Sequence, residues 1–413
     1  MVTTFFPPYS FGGDGTYVEQ LSLELARRGH EVHVVHCADA YLALEPKGPR
    51  RGATARHPNL TVHTLKSRGG ILSPLVTQQT GRPGLKDPQL RELLEGSRWD
   101  VIHYHNISLM GATALGYGSA IKLYTIHEYW LICPMHVLWK FDREVCEEKA
   151  CVRCMLHGKR PPQLWRSTGL LDRCLRHVDR FLCGAQFTAE KHREAGLDLP
   201  FVHLPALSIT DGDADGTDPP RHPAAGEGPY FLAVGRLEKI KGFHAILPVF
   251  RRRPDYRLLI AGEGSYASQL REIAGGAPNI RFLGHLSRAE LRALYRGATA
   301  VVISSLTFEV APLVAIEAFH EGTPVIAREL GSLMELTEGR GLLFRDEPSL
   351  EAALDRLATD TVLRDRLGRN AQAAARETWS RESHFAQYFA IIDELRTSRA
   401  MAARSATVEE RRS

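Results

Sequence analysis

At 413 residues the chain is long enough for about two to three domains. Apolar residues at 44% and charged residues at 24% make a globular balance that excludes disorder as the main state, and 52 Lys plus Arg against 48 Asp plus Glu leave +4, too little to indicate nucleic acid. No run of 18 apolar residues occurs: the best stretch, Ile121 to Trp139, is broken by Lys122, His127, Glu128, Pro134 and His136, which excludes a helical membrane span.

In chain order, Met1 to Phe6 has no basic flank and runs into Pro7-Pro8, so no signal peptide is expected and the chain reads as cytoplasmic. Val2 to Phe6 is apolar and extended. It is short for a first strand, as if residues were missing before it or as in a short edge strand. Tyr17 to Arg28 sets Val18, Leu21 and Leu25 on one face and stops at Gly29, which is helix period with a glycine C-cap. Strands are expected at Glu31 to Cys37, Thr61 to Leu65, Val101 to Tyr104 and Lys122 to Ile126. Thr210 to Pro229 contains almost nothing that builds a core and reads as an interdomain connection. The alternation then restarts, with strands expected at Tyr230 to Val234, Tyr256 to Ala261, Ile280 to Phe282, Ala300 to Ser304 and Pro324 to Ala327. Ser287 to Glu290 is a capping box that opens a helix. Strands interleaved with helices predict an α/β chain of two doubly wound, mainly parallel-sheet domains.

In such sheets ligands bind at the carboxyl ends of strands. Three unusual groups of residues fall there. Gly12-Gly13-Asp14-Gly15 follows the first strand, and its glycines let backbone approach a phosphate. As a dinucleotide fingerprint it is poor, because Gly13-x-Gly15-x-x ends on Val18; Asp39 could still mimic a ribose-binding acid, which keeps an NAD enzyme as a rival. Arg236 and Lys241 leave the first strand of the second half, placed to neutralise a diphosphate or to form a solvated basic turn. Gly262, after the strand ending at Ala261, is either a close backbone approach or a tight turn. Glu309 and Glu317 stand eight apart in an apolar stretch, about 80° apart on one continuous helix. Pro312 between them suits the first helical position, so Glu309 is expected in the preceding loop and Glu317 about two turns in. The amides of Leu313 and Val314 then form an anion site, and hydroxyls of a sugar or ribose are natural donors to the two acids. The bland alternative is an acid satisfied by backbone.

PYSFGGDG with GHEV, GRLEKIKG, AGEG, RFLGHL and FEVAPLVAIEAFHEGTPVIA, in this order and spacing, resembles the retaining nucleotide-sugar glycosyltransferases of family 4, with the GT-B fold. The resemblance covers nearly the whole chain. It implies two Rossmann-like domains facing across a cleft. Residues 1–207 would bind the acceptor and carry a Cys-bearing insertion at about 128–165; residues 208–377 would bind the nucleotide sugar. Residues 378–398 would be a helix returning to the first domain and 399–413 a disordered tail. By position, it implies that Arg236 and Lys241 hold the diphosphate, Glu317 the ribose and Glu309 the donor sugar. Backbone from Phe282 to Leu286 would meet the base, and Gly12 and Gly13 would approach the phosphates from the opposite domain. His127 matches a histidine near the donor sugar, against the alternative of an ordinary loop or core histidine; His103 and His105 are weaker candidates. Two departures stand out: Pro312 replaces a glycine, and Gly15 replaces an acid, relative to many members. The implied chemistry retains anomeric configuration without a covalent intermediate or a catalytic metal. The donor would be UDP- or GDP-linked, and the product a polysaccharide, a glycolipid or a natural-product precursor. A GT-B sugar-nucleotide epimerase, a phosphorylase and a nonenzymatic sugar-binding module are the alternatives.

Seven cysteines are an odd number, so a disulfide framework is not expected. Cys133, Cys146, Cys151 and Cys154 have a C-x12-C-x4-C-x2-C spacing that suits a structural zinc, with free thiols and redox disulfides as alternatives. Lys159, Arg160, Arg166, Arg173, Arg176 and Arg180 interleave with Leu170, Leu171, Leu175 and Val178. That pattern fits either an amphipathic segment for peripheral contact with the inner membrane face or a solvated helix face.

Overall fold

A computed structural model of the chain describes residues 1–49, 56–207, 221–226 and 228–410. The first domain is built on one parallel sheet. From edge to edge it runs Leu60–Leu65, Val32–Cys37, the N-terminal residues, Val101–Tyr104, Ile121–Ile126, Arg180–Cys183 and Phe201–His203. The first residues are central and not an edge. Val2 bridges both Val35 and Tyr104, with Val2 N donating to His103 O at 2.8 Å and Thr3 N to Val35 O at 3.1 Å. The strands at Arg180–Cys183 and Phe201–His203 were not expected from the sequence, nor was Gly341–Phe344 in the second domain.

The second sheet is also parallel, in the order Ile280–Gly284, Leu258–Ala261, Phe231–Val234, Ala300–Ile303, Val325–Arg328, Gly341–Phe344. In both sheets the first strand of the domain lies between the second and the fourth, so the strand order reverses there. That reversal opens a crevice at the carboxyl ends. Helices cover both faces of this sheet, and two apolar clusters result, one holding Phe231, Phe250 and Leu354 and the other Leu232, Phe319 and Trp379. The capping box forms as the sequence demands: Ser287 and Glu290 satisfy each other's backbone amides at the start of Arg288–Gly297.

Most of the linker lies outside the described residues; its far end, Pro223–Ala225, is a single 3-10 turn whose Ala225 enters the second core. The last helix crosses back. Phe385, Tyr388, Ile391, Ile392 and Leu395 pack with Tyr17, Val18 and Leu21 of the first domain. From 399 to 410 the tail is helical and not the unstructured segment that the sequence suggested, because the helix runs from Arg381 to Glu410; 411–413 lie outside the described residues. Arg399 donates to Ser119 O at 2.8 Å and Ala120 O at 3.0 Å, contacts that no local pattern announces. Nor is the basic stretch from Lys159 to Arg180 one amphipathic segment. Arg166 stacks over Trp130 and Trp165 and donates to Trp130 O at 2.8 Å, Leu171, Leu175 and Val178 join the core, and the only helix among the interleaved leucines is Leu170–Leu175.

Candidate active site

The two crevices face each other across a cavity of about 760 Å³. Its first-domain wall begins where the Gly13–Arg27 helix starts inside the glycine-rich loop, four residues earlier than periodicity indicated. Its second-domain wall is the loop Arg236 to Lys241, after Phe231–Val234, and the loop Thr307 to Ala311, after Ala300–Ile303. Gly12, Gly13, His127, Arg236, Lys241, Glu309 and Leu313 all line this one space.

The opposed walls are close. A Cβ on Gly13 would lie 3.7 Å from Leu313 Cδ1, so the glycine-rich loop does approach the start of the facing helix. That helix, Leu313–His320, has Pro312 as its N-cap and not at its first helical position. Ala315 N donates to Pro312 O at 2.9 Å, which leaves the amides of Leu313 and Val314 without an intrahelical acceptor. Two helix N-termini therefore converge on the cavity, each favouring negative charge.

Glu309 lies in the loop, as expected, and is largely buried. Its Oε1 accepts from Lys241 Nζ at 2.6 Å and from Ser305 Oγ. Burial pushes its carboxyl up, but Lys241, Ser305 and nearby Arg236 outweigh burial and hold it below the usual carboxylate range. Its backbone carbonyl accepts from Ser332 Oγ and, at 3.5 Å, from Tyr129 OH of the other domain. Lys241 is thus a paired cation at the cavity wall, poised between Glu309 and any anion bound beside it.

His127 follows Ile121–Ile126. Its Nε2 is 2.9 Å from His105 Nδ1, and Tyr17 sits edge-on with ring centroids 4.9 Å apart. Burial lowers its pKa, with Asp14 and Glu128 opposing, so the imidazole is neutral and acts as a hydrogen-bonding group. His103 is buried against Thr125 and Tyr388, a packing role. Asp14 was passed over in the sequence although it stands between the glycines. It lines the cavity, accepts from Gly15 N at 2.8 Å and lies 3.3 Å from Asn106 Nδ2. The acid missing at position 15 has a steric reason: a Cβ there would stand 2.2 Å from Ser10 Oγ.

Four expected donor residues lie outside the cavity lining: Gly262, Leu286, Val314 and Glu317. Glu317 is half-buried with Oε2 accepting from Tyr295 OH at 2.7 Å, and burial raises its pKa. Gly262 packs against its own domain, since a Cβ there would fall 1.9 Å from Gly235 O; its closeness serves the turn. Asp39 cannot be a ribose acid: it is buried and occupied by Ser67 N at 2.8 Å and Ser67 Oγ at 2.7 Å, which removes the NAD reading's one acidic candidate.

The zinc expectation for Cys133, Cys146, Cys151 and Cys154 is also corrected. All four are free thiols, and among the described residues no group of three or more Cys, His, Asp or Glu is disposed to hold a metal ion. Cys146 Sγ turns to Glu148 O at 3.6 Å, and burial pushes the thiols of Cys133 and Cys146 up. The insertion is held instead by the Trp139–Lys140 and Glu144–Val145 hairpin and by His136 Nδ1 with Glu128 Oε2 at 2.7 Å.

Two facing doubly wound domains with cations, helix starts and an acid in the shared cavity define a GT-B glycosyltransferase. Family models agree: Glycosyltransferase Family 4 matches residues 11–204 and Glycosyl transferases group 1 matches residues 215–374. The chain belongs to this group of glycosyltransferases. It is 28% identical over 402 residues to a glycogen synthase of Mycobacterium tuberculosis, covering 90% of this chain and 88% of that one. It is 27% identical over 421 residues to a D-inositol 3-phosphate glycosyltransferase of Pseudarthrobacter chlorophenolicus, covering 92% and 91%. Among solved structures, sucrose-phosphate synthase from Thermosynechococcus elongatus superposes with a TM-score of 0.71 at 20% identity, covering 96% of this chain and 98% of that one. Anabaena HepE in complex with UDP gives 0.65 at 18%, covering 95% and 98%. These last two likenesses show the shared fold.

Proposed function

We propose that the protein transfers a sugar, with retention of anomeric configuration, from a nucleoside-diphosphate donor to a hydroxyl acceptor. The observation that carries this reading is the meeting of Arg236, Lys241, Glu309 and the Leu313 helix start with Gly12 and Gly13 in one interdomain cavity. The bond from the anomeric carbon to the diphosphate oxygen breaks, and the acceptor oxygen bonds to the same face. The acceptor proton passes to the departing diphosphate. What the chain supplies is orientation and a fixed positive field for the developing charge. Arg236 forks two phosphate oxygens, Lys241 leans from Glu309 toward the same anion, and the two helix starts add backbone donors. Glu309 and neutral His127 accept from and donate to sugar hydroxyls. Glu317, Gly262, Val314 and backbone at Leu286 remain candidates for the nucleoside: Gly262 and Leu286 follow the carboxyl ends of Leu258–Ala261 and Ile280–Gly284, and Val314 and Glu317 lie on the helix that starts at the cavity. We place this reaction in the cytoplasm, in polysaccharide, glycolipid or natural-product assembly.

Thermal-shift measurements against UDP-, GDP- and ADP-linked sugars test the reading. The true donor at 100 times its Kd stabilises the fold by about 2.7 kcal/mol, and NMR of the product shows the donor's anomeric configuration. Arg236→Ala lowers kcat by about 10²-fold or more while leaving the fold intact. No shift with any nucleoside diphosphate at millimolar concentration, or an epimerised nucleotide sugar as product, overturns it.

A further inference from the structure

The helix Leu72–Thr80, in the first domain beside the cavity mouth, is packed inside out. Ser73 and Thr77 are 0% and 1% exposed, whereas Ile71, Leu72 and Leu75 are 64%, 59% and 46% exposed. The cause lies beneath it. Lys86 is fully buried, and its Nζ donates to Ser73 Oγ at 3.2 Å and Thr77 Oγ1 at 2.9 Å. A buried ammonium needs hydrogen-bond acceptors, so the hydroxyl face must turn inward and the apolar face outward. Its exposure is therefore built in. The apolar surface continues through Leu85, 55% exposed, which lies under Gly69. It also reaches Leu164, next to Trp165, whose Nε1 donates to Gln78 O at 2.9 Å. At the other end Leu44, Ile71 and Leu75 line the cavity itself.

The segments that flank this face are rich in cations. From residue 56 to residue 86 the sequence has five Lys or Arg, the buried Lys86 among them, and no Asp or Glu; from 149 to 171 it has five and again no acid. Lys66, Arg68, Arg82 and Arg160 are exposed there. Apolar side chains ringed by cations suit an interface that offers both hydrocarbon and negative headgroups. Among the described residues no helix is long and apolar enough to cross a membrane, and this one has nine residues, so contact is at the surface.

We propose that the Leu72–Thr80 face docks on an anionic lipid bilayer, with Leu72 and Leu85 entering the headgroup layer and the cavity mouth turned to acceptors presented there. This goes beyond the transferase reading and is tested without turnover. The full chain is sedimented with vesicles of phosphatidylcholine alone and of phosphatidylcholine with phosphatidylglycerol, at low and high salt. Binding to the phosphatidylglycerol vesicles is expected to be tighter by about tenfold or more and to weaken with salt. Leu72→Glu with Leu85→Glu is expected to lower it by about tenfold or more, because each leucine loses its apolar burial. Neither residue lines the cavity, so the nucleotide-induced thermal shift stays. Should that variant fold poorly, Arg68→Gln with Arg82→Gln keeps the apolar face and is expected to cost about fivefold per charge. Undiminished vesicle binding in both variants overturns the proposal, as does absence of binding at physiological salt. So does a dimer of the unaltered protein that the leucine variant dissociates, since the face would then be covered by a second copy.

Discussion

Glu309 keeps its charge in a largely buried place because Lys241, Ser305 and Arg236 together outweigh the desolvation that favours its neutral form. The two acids of the apolar stretch thus have opposite fates: Glu309 stays ionised beside cations, and Glu317, beside a tyrosine, is pushed toward the neutral acid. Eight residues of sequence separation could mark both as special without telling them apart. Glu309→Gln retains the shape and the Ser305 contact but frees Lys241 from its counter-charge. Its kcat should fall by about 10²-fold, with a midpoint of thermal unfolding close to that of the unaltered protein; unaltered kcat would show that the carboxylate does not face the reacting sugar. Because its pKa is lowered, the carboxylate persists through the mildly acidic range, so an acid limb of kcat between pH 5 and 7 has to come from another group.

At the scale of elements, the loops at the strand ends have two kinds of glycine. Gly12 and Gly13 are open to the cavity, and Gly13 faces Leu313 with room for contact. Gly262 and Gly242 face their own domain, where a Cβ would fall 1.9 Å from Gly235 O and 2.0 Å from Ser304 O. In Gly262 the φ of 137° adds backbone strain for any other residue. Gly262→Ala should therefore push the Arg236 turn out of place and lower unfolding free energy by more than about 1 kcal/mol. Nucleotide affinity should fall with it, and urea unfolding with a nucleotide titration reads both. An equally stable variant would mean that the turn relaxes freely. Sequence marks all four glycines alike, because what they approach is set by strands far apart in the chain.

For the whole molecule, the two domains meet through contacts at the cavity rim. Thr307 Oγ1 donates to Val137 O, Lys239 Nζ donates to Asp142 O at 2.7 Å, and Gln186 N and Phe187 N donate to Glu335. The Cys-bearing insertion supplies two of these partners, so it bridges to the second domain although it holds no metal geometry. The fold also depends on neutral histidines: burial pushes His36, His192 and His384 down from 6.5 to about 4. Well above pH 6.5 neither state of these groups binds a proton. As pH falls from 6.5 toward 4, the unfolded chain takes up protons that the folded chain refuses, and each group costs about 1.4 kcal/mol per pH unit. The Tm should therefore drop steadily across that window in scanning calorimetry. A Tm constant from pH 7 to 5 would show that these rings are more hydrated than their burial implies.

Much of this architecture is written locally. Alternating apolar runs, the Ser287 capping box and the glycine and charge pattern at strand ends place two doubly wound domains and their ligand edge, because periodicity and turn chemistry act over a few residues. Gly12, Gly13, Arg236, Lys241, Glu309 and Leu313 were identifiable on that basis, whereas the helix that returns to the first domain followed only from the family resemblance. Other features depend on partners distant in sequence. Met1 to Thr4 became a central strand through Val35 and His103, Gly262 turned to Gly235, and Asp14 reached the cavity beside Asn106. Four cysteines close in sequence did not come together as a metal-disposed group among the described residues. Lys86 turned the Leu72–Thr80 helix apolar side out. Spacing determines which residues can share a face; the desolvation and hydrogen-bond partners of each buried group, which only tertiary structure sets, determine what that face can do.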